Sequence, residues 1–204
     1  MDAAAPDGRT THDESDEALA LRAGRGDARA FEALVERRYD AIRALAWRLD
    51  ANHADDLAQD VCVRLPRALH SFKGDAAFRT WLHRLVVNAA RDAWRRRGAY
   101  DRAIDGWAEV EPMRRADGAE RRERGAWLDE ATARLGPALR ETVALVLGEE
   151  LTQREAAGVL DVSEGTVAWR MSEVKRLLRT MARDEAVEAG AVPVRNGSER
   201  EMTR

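Results

Sequence analysis

The chain has 204 residues and a formal net charge of −3, with 35% of residues charged and 5% aromatic, enough for one domain or two small ones. A single cysteine, Cys62, excludes an intramolecular disulfide and any paired-cysteine metal or redox site, and it fits a reducing cytoplasm. No apolar run approaches the roughly 18 residues of a membrane span, and the acidic N-terminal segment lacks the apolar core of a signal peptide.

In chain order, residues 1–14 show no periodicity and are expected to be disordered. A first helix starts at Ser15, whose hydroxyl can cap it, and stops at Gly24-Arg25-Gly26. A second runs over Ala28–Leu49 with the stripe Phe31, Leu34, Val35, Tyr39, Ile42, Leu45, Ala46 and Leu49 on one face. A third, Ala54–Leu69, places Leu57, Val61, Leu65 and Leu69 at every fourth position, with Pro66 expected to kink it. After a loop at His70–Asp75, a fourth runs over Ala76–Arg97 with Phe78, Trp81, Leu82, Leu85, Val86 and Ala89 inward. Residues 98–125, with Gly98, Gly106, Pro112, Gly118 and Gly125 among alternating charges, form a flexible linker by composition. A second block follows, spanning 126–182: Trp127–Leu135, Pro137–Gly148, a short helix opened by the capping box Thr152-Gln-Arg-Glu155, and a helix from Ser163 to about Met181. Residues 183–204 are expected to be a disordered tail. With no period-2 strand in view, the fold class is all-α: two small helical domains, 15–97 and 126–182, joined by that linker.

Charge is unevenly spread. Residues 1–60 carry eight basic and fourteen acidic groups, whereas residues 61–100 carry nine basic and two acidic. This asymmetry points to a nucleic-acid face beside a face for another partner, with a solvated charged helix as the alternative.

Three constellations carry candidate chemistry. Two short helices around the turn Asp161-Val162-Ser163, with small Ala156 at their crossing, have helix-turn-helix spacing, which projects the start of the second helix toward a major groove. An αα-corner inside a bundle has the same pattern. Around Phe72–Trp81 and Arg95–Arg97, arginines interleave with aromatics, as a single-strand binding surface would require, although Phe78 and Trp81 lie on the apolar stripe and belong in the core. Asp55-Asp56-Leu57-Ala58-Gln59-Asp60-Val61 makes an acidic ridge of i, i+4 neighbours that an isolated helix disfavours and a basic partner would relieve. His12, His53, His70 and His83 show no metal-ligand spacing, and no constellation supports an enzyme or a cofactor.

Residues 55–97, DDLAQDVCVRLPRALHSFKGDAAFRTWLHRLVVNAARDAWRRR, resemble region 2 of sigma-70 family initiation factors, and residues 151–178, LTQREAAGVLDVSEGTVAWRMSEVKRLL, resemble the region 4 helix-turn-helix. Both in this order, with no domain between them, are similar to the extracytoplasmic-function group. The resemblance implies a transcription initiation factor, not an enzyme. It would act in the cytoplasm, with core RNA polymerase (β′ clamp helices and β flap) and promoter DNA as partners, no membrane insertion, and room for an anti-sigma factor. By the same resemblance Asp55, Asp56, Leu57, Gln59, Asp60 and Val61 grip polymerase. Phe72, Lys73, Gly74, Asp75, Arg79, Asn88, Arg91, Asp92, Arg95 and Arg96 meet the −10 element. Ser163, Gly165, Thr166, Ala168, Trp169, Arg170, Lys175 and Arg176 meet the −35 element. Ala168, Trp169 and Glu173 depart from the more basic family pattern, which weakens phosphate contact there. Two rivals stand beside this reading: a helix-turn-helix regulator acting without polymerase, which leaves 55–97 idle, and a helical adaptor that binds only proteins.

Overall fold

The computed structural model of the protein describes residues 14–104, 131–132 and 134–188. Helix α1 (Asp16–Ala23) is capped by Ser15, which accepts from the Ala18 amide at 3.2 Å. Helix α2 (Ala28–Leu49) is capped by Asp27, which accepts from Arg29 and Ala30, both at 3.1 Å. A 3₁₀ turn at Ala51–His53 leads into α3 (Ala54–Leu69), which runs through Pro66. Helix α4 (Phe78–Ile104), α5 (Pro137–Val143), α6 (Gln153–Leu160) and α7 (Glu164–Glu188) complete the described chain, and no strand occurs among the described residues.

Several boundaries differ from the sequence reading, and the expected helix Pro137–Gly148 ends at Val143. Helix α4 starts at Phe78 and continues past Arg97 to Ile104, and α7 passes Met181 to reach Glu188. The segments 98–104 and 183–188, assigned from composition to linker and tail, are therefore helical. Neither Gly98 nor a run of charges is enough to end an established helix, since propagation needs only one bond per residue. The remainder of the expected linker, 105–125, the expected N-terminal tail apart from Glu14, and residues 189–204 lie outside the described residues, as does most of the helix expected at Trp127–Leu135.

Helices α1–α4 pack around Leu34, Leu45, Leu49, Val61, Leu65, Phe78 and Val86, each 0–1% exposed. Asp16, at the start of α1, is buried and paired with Arg37 at 2.9 Å and with Arg38, which ties α1 to α2. Tyr39, expected on the apolar stripe of α2, is instead 36% exposed.

The C-terminal helices do not stand apart. Ala144, Leu145, Leu151, Ala156, Ala157, Val159, Leu160 and Val167 join the same continuous core as the N-terminal bundle. After α5 the chain widens into a single π-type turn over Ala144–Gly148, where the Glu149 amide reaches back to Ala144 O at 3.0 Å. That extra residue re-aims the helix end: Leu147 faces out, 62% exposed, while Glu149 turns inward at 9%.

Candidate polymerase and nucleic-acid interfaces

On α3, the acidic ridge emerges as the periodicity predicts, but its residues are not equivalent. Leu57 and Val61 are 4% and 0% exposed, so they seat the helix against the bundle, as the apolar stripe predicts, and fix the direction in which the ridge points. Asp55 pairs with Arg43 at 2.8 Å, both exposed. Asp60 accepts two bonds from Arg64, at 2.9 and 2.7 Å, and a third from Arg96 at 3.3 Å. Asp56 and Gln59 are exposed. Asp56 makes no ion pair among the described residues, which leaves it the most available carboxylate on the ridge.

Arg64 also reaches Asp92 on α4 at 2.8 Å, and Asp92 is bonded to Arg95. Hydrogen bonds from Arg64, and secondarily from Arg95, outweigh partial burial and hold the Asp92 carboxyl below its ordinary range. The acidic ridge and the basic helix are therefore joined by one charge network.

The loop before α4 carries Lys73, Gly74 and Asp75, all exposed, with Gly74 at φ +81. Phe72 does not belong with them. It is 7% exposed and packs on Phe78 and Trp81, ring centroids 5.6 and 5.4 Å apart. Its bulk fills the space between the loop and α4, so in this arrangement it supports the loop from beneath. Asn88, Arg95 and Arg96 are exposed on α4.

Arg79 and Arg91, both predicted to face the −10 element, are held by the C-terminal unit. Arg91 forks onto Glu141 with two bonds of 2.7 Å. Arg79 donates to Glu149 O at 2.6 Å, and its carboxylate lies 3.6 Å away. Glu149 further accepts from Arg48 at 2.7 Å and sits 3.1 Å from His83 Nε2. Burial pushes the Glu149 carboxyl up, but His83, Arg48 and Arg79 more than offset it and leave it below the usual value. Arg140 stacks over Trp94 at 5.9 Å and donates to Leu49 O at 3.3 Å, and burial lowers its affinity for a proton. None of Glu141, Glu149, His83, Arg48 or Arg140 was legible as functional from sequence. They lie on α2, α4, α5 and the segment just after Gly148, and only packing brings them together.

The helix-turn-helix forms as its spacing requires. Thr152 and Glu155 make the reciprocal capping box. Asp161 adopts the left-handed conformation at φ 58, ψ 49, which its short side chain tolerates. Ser163 caps α7 through the Thr166 amide at 3.1 Å. Ser163, Gly165, Trp169 and Lys175 are exposed and Thr166 and Ala168 half-buried. Trp169 is 64% exposed. Arg176 is paired with Glu173 at 2.6 Å. Arg170, assigned to the −35 element, lines a cleft of about 1080 Å³ with Asn88, Arg91, Arg95 and Glu141.

This is an all-helical protein with a helix-turn-helix packed on a basic helical bundle, the composition of a DNA-binding transcription factor. The family described as Sigma-70 region 2 matches residues 34–100. The chain is 34% identical to the RNA polymerase sigma-H factor of Pseudomonas aeruginosa over 178 residues, covering 81% of this chain and 92% of that protein. It is 34% identical over 174 residues to the ECF RNA polymerase sigma factor SigM of Mycobacterium tuberculosis, covering 83% and 86%. Among solved structures, CnrH in complex with the cytosolic domain of CnrY superposes with a TM-score of 0.63 at 29% identity, over 84% of this chain and 99% of that one. The sigma factor RpoE in complex with the anti-sigma factor NepR from Bartonella quintana shares the fold, with a TM-score of 0.62 at 23% identity over 75% and 96%. The chain belongs to the sigma-70 family of RNA polymerase sigma factors, in the extracytoplasmic-function group, and is a transcription initiation factor. No helix among the described residues is long and apolar enough to cross a membrane.

Proposed function

We propose that this protein binds core RNA polymerase in the cytoplasm, carries it to promoters with −10 and −35 elements and assists melting at the −10. The observation that supports this most is the likeness to the sigma-H factor, which runs through 92% of that protein and so spans both units. In this reading Asp55, Asp56, Gln59 and Asp60 meet the β′ clamp helices, with Leu57 and Val61 fixing the ridge's direction. The second unit meets the β flap. Lys73, Gly74 and Asp75, backed by Phe72, border the captured base, while Arg79, Asn88, Arg91, Asp92, Arg95 and Arg96 track the −10 strand. Ser163, Gly165, Thr166, Ala168, Trp169, Arg170, Lys175 and Arg176 meet the −35 duplex. The protein carries out no reaction itself. Binding energy drives melting, because extruding a base costs a few kcal/mol of stacking that protein contacts offset. An anti-sigma factor is a further partner to test, since the CnrH and RpoE structures each hold a second protein.

Run-off transcription with core polymerase on a genomic fragment library tests the proposal. Discrete transcripts that depend on the protein are expected. Binding of promoter-length DNA without co-elution with core polymerase on gel filtration would instead favour a regulator that works alone.

A further inference from the structure

The outer face at the start of α7 is short of groups free to read a base by hydrogen bonding. It carries Glu164, Gly165, Ala168, Trp169 and Ser172, while Val167, Met171 and Val174 are buried on the opposite face. Gly165 has no side chain and Ala168 only a methyl group. The polar groups are engaged by their own chain. The Ser163 and Thr166 hydroxyls lie 2.8 Å apart, and Ser163 also accepts from the Thr166 amide. Ser172 donates to Ala168 O at 3.1 Å, and Glu164 lies 3.6 Å from Arg154 of α6. Lys175 and Arg176 follow about two turns after Trp169, where cations meet phosphates and set position, not sequence. Trp169 stands at the centre of this face. It is 64% exposed, the most exposed aromatic side chain among the described residues, and has no ring contact among them. An indole left in water forgoes a large apolar burial that a bound partner would supply.

We propose that Trp169 determines promoter specificity by packing its indole against the C5-methyl group of a thymine in the −35 element, so that this chain selects that element through an apolar contact. The inference rests on the initiation-factor reading, which lays the start of α7 in the major groove. Residues in the first turns of such a helix meet base edges, and Trp169 is the sixth residue of α7. The thymine methyl is the one methyl group that a base pair presents in that groove. The small side chains at Gly165 and Ala168 allow close approach of the helix, and the indole supplies the contact area. Burying one methyl group is worth about a fourfold change in affinity.

The experiment uses the full chain with core polymerase to select duplexes from a promoter library randomised across the −35 region. Each thymine of the selected sequence is then replaced in turn by uracil, which lacks only the methyl group. The parent should lose about fourfold in affinity at one thymine and little at the others. Trp169→Ala should bind the thymine duplex about tenfold more weakly and be indifferent to that uracil. Trp169→Phe keeps an apolar ring and removes the indole N–H, so it should retain the thymine preference. An equal thymine-to-uracil ratio in the parent and in Trp169→Ala overturns the proposal, as does a −35 region with no uracil-sensitive position. Loss of the preference in Trp169→Phe also overturns it, because the N–H would then carry the readout. Should Trp169→Ala lose helicity, Trp169→Gln takes its place in the same cycle. Run-off transcription separates the two failures. Transcription by the parent without uracil sensitivity sinks the thymine readout alone, whereas no transcription by any version sinks the initiation-factor reading.

Discussion

Gly24 sits where the ends of α1 and α3 touch backbone to backbone. A Cβ there would lie 2.5 Å from the Leu69 carbonyl oxygen, and the neighbouring His70 ring nitrogen lies 2.7 Å from Gly24 O. Neither backbone can yield as a side chain would. Gly24→Ala should therefore cost about 1–3 kcal/mol of stability through overpacking, read as a lower urea midpoint at unchanged slope. On the acidic ridge, Asp56 and Asp60 differ in what substitution does. Asp56 is exposed and unpaired among the described residues, so Asp56→Arg should shift stability by under about 0.5 kcal/mol. It should still weaken core polymerase binding strongly, since a truncated interface charge pair typically costs about 2–5 kcal/mol. Normal core binding by Asp56→Arg in a co-elution assay would remove the ridge as docking surface. Asp60→Arg is a poorer probe, because it would set a third cation beside Arg64 and Arg96 and lower the thermal midpoint as well.

At the scale of the element, the helix-turn-helix has two separable sources of function. Its shape depends on the caps. Thr152→Ala removes the acceptor for the Glu155 amide at 3.2 Å and should cost about 1 kcal/mol, visible as a lower thermal midpoint with promoter specificity retained. Its affinity depends on few cations. Lys175 is exposed, whereas Arg176 is engaged by Glu173, which holds the Glu173 carboxyl below its ordinary value. Lys175→Ala should weaken −35 binding and reduce the salt slope by about one. Glu173→Ala should do the reverse, since it releases Arg176 for phosphate. A salt titration of duplex binding that leaves both slopes unchanged would take these residues off the DNA face.

For the molecule as a whole, charge pairs between elements set the response to acid. Asp27, Asp92 and Glu149 all have lowered pKa values, through hydrogen bonds from Arg22, from Arg64 and, against burial, from His83. A lowered carboxyl contributes stability that is present above its ordinary value, 3.8 for Asp and 4.5 for Glu, and that is lost as pH falls through the folded value. The thermal midpoint should accordingly hold steady from neutrality to about pH 5 and fall steeply below about pH 4. Glu149→Gln should remove part of that acid dependence and lower the neutral midpoint, since Arg48, Arg79 and His83 would then face a neutral amide.

Helix existence, order and capping were legible in residues alone, because they depend on neighbours three and four positions away. The stripe of α3, the stop at Gly24 and the capping box of Thr152 with Glu155 are cases of this kind. The acidic ridge and the helix-turn-helix were legible for the same reason, since each lies within one or two consecutive helices. The extent of α4 and α7 was not, because helix propagation into 98–104 and 183–188 overrode the composition that suggested linker and tail. Nor could sequence place Phe72, which sits in the loop motif yet faces inward, because that depends on which surfaces the bundle buries. The pairing of Arg91 with Glu141, 50 positions apart, and of Arg48 with Glu149, 101 apart, exists only once the two units share a core. Long-range ion pairs leave no periodic trace in a chain, so the closure of one unit upon the other was decided by tertiary packing alone.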